Sequence, residues 1–224
     1  MIRALPHDER ASGVRWLWGD LGMLPSESIS RAGGRIEVVT GCMFSGKSRY
    51  LLDRLRQAHE QGLAVVVLKH ASDDRYAAGE IVAHDGGRAE AIPVASAREI
   101  VERAGGAEVV VIDEAQFFDA DLPAVCRHLA ATGRTVLVAG LDRDSWGEPF
   151  GPMPELAALA DEVTRTRAVC ARCGAPAEYT QRLAPADGAP RRPSAAAQRD
   201  PGRPHGANLS PRCTPQSPRG PPRR

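Results

Sequence analysis

Lysine is almost missing from this chain. Of its 29 basic residues only Lys47 and Lys69 are lysines, so arginine carries nearly all of the positive charge. The net charge of +1 hides an uneven distribution, because the arginines crowd toward the C-terminal end. No apolar run approaches the roughly 18 residues that a membrane span needs. A secretory signal with charged start, apolar middle and small-residue cleavage site is also lacking. Five cysteines, two of them spaced as Cys170-x-x-Cys173, are too few for a disulfide scaffold and point to free thiols or a metal. These absences exclude a membrane partner and make the cytoplasm the expected setting.

What the chain does have begins at Arg35. Arg35 to Thr40 is short, β-branched and apolar, the pattern of a buried strand. Gly41-Cys-Met-Phe-Ser-Gly46-Lys47-Ser48 follows and fits G-x-x-x-x-G-K-[ST], the Walker A phosphate loop. Beyond it Leu51, Leu52, Leu55 and Ala58 recur at helical spacing up to Gly62. Strand, loop and helix start are the context this motif requires. Glycines let backbone amides curl round a phosphate, and the helix start adds unpaired N–H groups and a favourable dipole. Gly41, Met43, Phe44, Ser45, Gly46, Lys47 and Ser48 are therefore expected at ATP, with Lys47 on the β- and γ-phosphates and the Ser48 hydroxyl on magnesium.

Further strands are expected at Ala64 to Leu68, Glu108 to Asp113 and Thr135 to Ala139. Helices are expected from the capping box Ser96-Ala-Arg-Glu99 to Ala104 and around Leu122 to Ala131. Continuous apolar strands alternating with helices imply an α/β fold, a phosphate-loop NTPase-like parallel sheet flanked by helices. Asp113 and Glu114 end the Glu108 to Asp113 strand, at the carboxyl edge of the sheet beside the phosphate loop. Asp113 suits a Walker B acid that helps hold magnesium. Glu114 is then free to orient or deprotonate an attacking hydroxyl.

Gly-Cys-Met-Phe-Ser-Gly-Lys-Ser, Asp113-Glu-Ala-Gln-Phe-Phe118, Gly140-Leu-Asp142, Glu148-Pro-Phe-Gly151 and Ala168-Val-Cys-Ala-Arg-Cys173 follow one another in a family's order and approximate spacing. Together they resemble thymidine kinase of the tetrameric, zinc-containing type, over about Arg35 to Leu183. The resemblance implies transfer of the γ-phosphoryl group of ATP to the 5′-hydroxyl of thymidine, with magnesium and a structural zinc, in a homotetramer. It implies Glu114 as catalytic base, with Asp73, Arg75, Asp113 and Gln116 on the ATP and magnesium side. Met43, Phe117, Leu141, Phe150 and Thr180 are implied around the nucleoside, and Cys170 and Cys173 as zinc ligands.

The chain departs from the family at its C-terminal end, as a divergent or frame-shifted end would. No second C-x-x-C follows, and no tyrosine occurs after Tyr179. Only Cys213 and His205 are available to complete a zinc set. Residues 185–224 hold ten of the 18 prolines and eight arginines, with Leu209 as the sole large aliphatic side chain. Such a segment buries too little to offset its ordering entropy, and disorder is expected. It also lacks the interleaved aromatics of a nucleic-acid stacking platform, so nucleic acid is not an expected partner. The expected layout is a flexible extension over 1–34, a kinase domain over 35–166, an incomplete zinc lobe over 167–184 and a disordered tail over 185–224. The alternative to a working kinase is an impaired ATP-binding remnant, since the loop that closes over the substrate and the second C-x-x-C are missing.

Overall fold

Runs of Val, Ile and Leu set the central strands. The computed structural model describes residues 16–17, 33–73, 79–83, 86–182 and 209–213. In chain order the elements begin with β1 (Trp16–Leu17), β2 (Arg35–Thr40), α1 (Lys47–Glu60) and β3 (Val65–His70). There follow β4 (Glu80–Val82), β5 (Arg88–Glu90), β6 (Ile92–Val94), α2 (Ala97–Ala104) and β7 (Val109–Asp113). A single 3₁₀ turn (Ala115–Phe117) leads to α3 (Leu122–Ala131), β8 (Thr135–Gly140) and α4 (Met153–Leu159). The chain continues through β9 (Glu162–Arg165), β10 (Ala168–Val169), β11 (Pro176–Ala177), β12 (Tyr179–Arg182) and β13 (Leu209–Arg212).

Six strands form one parallel sheet in the order β6-β3-β7-β8-β2-β9. Alternate residues of each strand point to opposite faces. Val110, Ile112, Val136 and Val138 pack on one face with Ile100 of α2, Leu122 and Leu129 of α3, and Leu156 of α4. Val109, Val111 and Leu137 pack on the other with Leu51, Leu52 and Leu55 of α1 and with Ile81 and Ala89 of the β4–β5 hairpin. Covering both faces explains why these strands read as unbroken apolar runs. Ser96 caps α2 by accepting from Glu99 N, and the Glu99 carboxylate accepts from Ala95 N at 3.3 Å. Among the described residues no helix is long and apolar enough to cross a membrane.

One buried ion pair ties the two elements that flank the phosphate loop. Arg54 of α1 reaches Glu37 of β2 at 2.6 Å, with both side chains nearly fully buried, and Arg35 Nε lies 3.1 Å from the same carboxylate. Removing one partner would strand the other charge, so the pair fixes α1 against β2.

The expected flexible extension and disordered tail fall mostly outside the described residues, and two short segments of them form strands. Trp16–Leu17, in the expected flexible extension, pairs antiparallel with β5. Leu209–Arg212, in the expected disordered tail, pairs antiparallel with β12, with Thr180 opposite Pro211 and Gln181 opposite Ser210. In both, the order comes from a ladder to a distant partner strand, which supplies backbone hydrogen bonds that local composition does not reveal.

Candidate active site

The carboxyl ends of the parallel strands release the chemistry-bearing residues at one edge of the sheet. Residues 41–46 join β2 to α1, and α1 starts with no side-chain cap. The dipole of the helix start favours an anion there. The Lys47 ammonium donates to the carbonyls of Gly41 at 3.1 Å and Cys42 at 2.8 Å, lying across the loop. Ser48 occupies the next helical position. Phe44 turns outward, 39% exposed, with a left-handed backbone at φ 64°.

The loop is also held from the opposite side. Met43 N donates to Thr180 Oγ1 at 2.9 Å, and the Cys42 thiol donates to Ala177 O at 3.3 Å. Burial pushes the Cys42 thiol above its ordinary pKa, so it stays protonated and able to donate.

Asp113 ends β7, but β8 lies between β7 and β2. Asp113 is thus two strand spacings from the loop strand, about 10 Å, rather than directly beside it. That separation suits contact with a loop-bound cation through water. Its Oδ1 accepts from Glu114 N at 2.9 Å. Glu114 itself takes a left-handed backbone, φ 55°, which a residue with a Cβ adopts rarely and at a cost of order 1 kcal/mol.

Gln116 fixes the Glu114 side chain. Its Oε1 accepts from Leu141 N at 2.9 Å, so its Nε2 faces and donates to Glu114 Oε2. Gln116 is 2% exposed, and Gly140 makes room for it. A Cβ at Gly140 would lie 2.8 Å from Gln116 Oε1 and 2.6 Å from Met153 Sδ.

Glu114 and Gln116 line a cleft together with Met43, Asp73, Phe117, Leu141, Phe150 and Thr180. All five residues expected around the nucleoside are therefore gathered at one cavity. Its apolar side is built from Met43, Leu141 and Phe150, with Phe117 and Leu209 packed against them. Phe117 and Phe150 meet edge to face at 5.6 Å. Asp73 is paired with the fully buried Lys69 at 3.3 Å, and Lys69 also donates to Glu80 O at 3.2 Å. The two lysines of the chain thus stand at the loop and behind the cleft. Arg75 and His205 lie outside the described residues.

Sequence reasoning missed Leu209, Arg143 and Arg182 as cleft residues. Leu209 did carry a signal, as the one large aliphatic side chain in a stretch of proline and arginine. Arg143 donates to the Tyr179 hydroxyl at 3.1 Å, and its guanidinium stands 5.3 Å from the ring centre.

At the far end of β13, Cys213 joins the C-x-x-C pair. The sulfurs of Cys170, Cys173 and Cys213 all lie within 4.8 Å of one another, with Cys173 and Cys213 at 3.6 Å. The cluster is stronger than the sequence suggested, because β12–β13 pairing places the third thiol. Backbone N–H groups of Arg172 and Cys173 aimed at its sulfur bring the Cys170 thiol down to about 6. Hydrogen bonding to Cys173 and Cys170 pushes Cys213 up.

A family model described as thymidine kinase matches residues 34–192. A thymidine kinase of Rhodothermus sp. (strain ITI 518) is 48% identical over 155 residues, 69% of this chain and 73% of that one. One from Coprothermobacter proteolyticus is 51% identical over 150 residues, 67% of this chain and 76% of its own. One from Bacteroides fragilis (strain YCH46) is 45% identical over 153 residues, 68% of this chain and 77% of its own. Among solved structures, a DNA replication initiation factor covers 61% of this chain and 41% of its own, at 11% identity and a TM-score of 0.38, too slight a likeness to bear on the reading.

Proposed function

This chain belongs to the thymidine kinase family, and from that premise we propose that it transfers the γ-phosphoryl group of ATP to the 5′-hydroxyl of thymidine, giving thymidine monophosphate and ADP. The observation that carries the reading is a continuity: Met43 belongs to the phosphate loop and also walls the cleft that holds Glu114. A triphosphate on the loop and a nucleoside in the cleft would then meet at Met43.

The residues divide the work. The amides at the start of α1 and the Lys47 ammonium bind the triphosphate and spread its charge, the main task in a loose phosphoryl transfer. Glu114 takes the proton of the 5′-hydroxyl, held in one orientation by Gln116. Gln116 serves by positioning Glu114, and its buried amide is anchored in turn on Leu141 N. Phe117, Leu141, Phe150 and Leu209 supply apolar contact for the base and sugar.

Ser48, Asp73 and Asp113 offer the oxygen donors that magnesium takes, Asp113 at the end of β7 and Asp73 three residues past the end of β3; when bound it would neutralise phosphate charge. Among the described residues the three thiols supply three of the four ligands of a tetrahedral zinc site. Tetrahedral Zn–S bonds of about 2.3 Å set sulfurs about 3.8 Å apart, close to the Cys173–Cys213 separation of 3.6 Å. Its role would be to pin β13, and with it Leu209, to the rest of the lobe. A cytoplasmic homotetramer completes the family-based reading.

The second reading, an impaired ATP-binding remnant, is not favoured. It rests on a lost C-terminal end, whereas Leu209 lines the cleft and Cys213 reaches the C-x-x-C pair. The test is an assay of the full chain with ATP, magnesium and each of the four deoxynucleosides, reading the products by chromatography. Thymidine monophosphate is the expected product. ATP binding with no phosphorylated nucleoside would favour the remnant.

A further inference from the structure

Thr166, just past the end of β9, braces the phosphate loop from outside. Its backbone N–H donates to Thr40 O at 2.8 Å, extending the pairing of β2 and β9 by one residue. Its side chain then turns back toward the loop. Thr166 Oγ1 lies 3.1 Å from the same Thr40 carbonyl and 2.7 Å from Ser45 Oγ.

The proton positions follow from what each group can do. A carbonyl oxygen only accepts, so the Thr166 hydroxyl gives its single proton to Thr40 O. The contact with Ser45 then has Ser45 as the donor. A relay runs from Ser45 through Thr166 to the Thr40 carbonyl, joining the entry of the loop to its far side. Gly41 lies directly against it. A Cβ there would stand 2.4 Å from Thr166 O and 2.5 Å from Thr166 Oγ1.

We propose that Thr166 is a positioning residue for the triphosphate of ATP, acting through Ser45 rather than touching the nucleotide. The inference rests on the kinase reading above. Phosphate oxygens only accept hydrogen bonds at neutral pH, and the Ser45 proton is already committed to Thr166. Ser45 therefore holds the loop in shape instead of donating to phosphate. The loop amides, kept in one conformation by the relay, bind the anion without having to be ordered first.

The test is direct titration of the full-length protein with ATP, beside steady-state kinetics. Thr166→Val keeps the shape and removes the relay; it should weaken ATP binding about 3- to 10-fold, the scale of one or two lost hydrogen bonds. The KM for thymidine and the kcat at saturating ATP should stay within about twofold of wild type. Thr166→Ser, which keeps the hydroxyl, should restore binding. Ser45→Ala tests the relay from its other end, and the Ser45→Ala/Thr166→Val double variant should bind no more weakly than either single variant. Wild-type ATP affinity in Thr166→Val, failure of Thr166→Ser to rescue, or multiplying effects in the double variant would each overturn the proposal while leaving the kinase reading intact. Absence of ATP binding by the wild-type chain would overturn both.

Discussion

Replacing Gln116 by leucine separates positioning from nucleotide binding. The side chains are similar in size, and Gln116 is 2% exposed, so the substitution removes polarity with little change in packing. Two hydrogen bonds disappear, one from Leu141 N and one to Glu114 Oε2. Leu141 is buried, and a buried amide left without its acceptor costs about 1–3 kcal/mol. At roughly 2–4 °C per kcal/mol for a chain of this size, the melting temperature should fall by about 2–12 °C. Glu114 would keep its carboxylate but lose the group that aims it. General-base contributions are about 10²–10⁴-fold, and losing part of that through misplacement should lower kcat about 10- to 100-fold. ATP affinity, measured by calorimetry on the folded variant, should stay within about twofold. A kcat near wild type would refute the positioning role, and an ATP affinity that falls as far as kcat would make Gln116 an ATP contact instead.

Other outcomes follow from the ion pair and the thiols. Glu37→Ala leaves Arg54 buried without its carboxylate and should cost about 3–5 kcal/mol, read as a fall in melting temperature. Zinc should be present at close to one ion per chain by metal analysis, and Cys213→Ser should release most of it. Because Leu209 lies on the same strand as the residues leading to Cys213, the KM for thymidine should rise more than that for ATP in this variant.

The parallel sheet was legible in the sequence because its signals are local. The unbroken apolar runs at Val109 to Ile112 and Val136 to Ala139 state burial on both faces, and in Arg35 to Thr40 the apolar Ile36, Val38 and Val39 are interrupted by the ion-paired Glu37. The Ser96 cap marks where α2 starts. Helix α4 and strand β9 went unread because Met153–Leu159 is a short helix and Glu162–Arg165 is a half-exposed edge strand without an apolar run. Strand β13 is harder still. Pro211 and Arg212 argue against a strand, and only the ladder to β12 orders them. In the site, the phosphate loop and the Asp113-Glu114 pair can be read from adjacent letters. The bridge from Glu114 through Gln116 to Leu141, and that from Ser45 to Thr166, join residues brought near only by the sheet. The place of β8 between β2 and β7 likewise has no local signature, so the separation of Asp113 from the loop strand emerged only with the strand order.

Glu114→Gln is the sharpest probe of the chemistry. The substitution keeps the shape of the side chain and removes the proton acceptor. Phosphorylation of thymidine should be followed in a single turnover, with enzyme in excess over thymidine, beside calorimetric titrations of ATP and thymidine. Binding of both ligands should stay close to wild type while the single-turnover rate falls about 10²–10⁴-fold. A variant that forms thymidine monophosphate at the wild-type rate would contradict the assignment of Glu114 as the base.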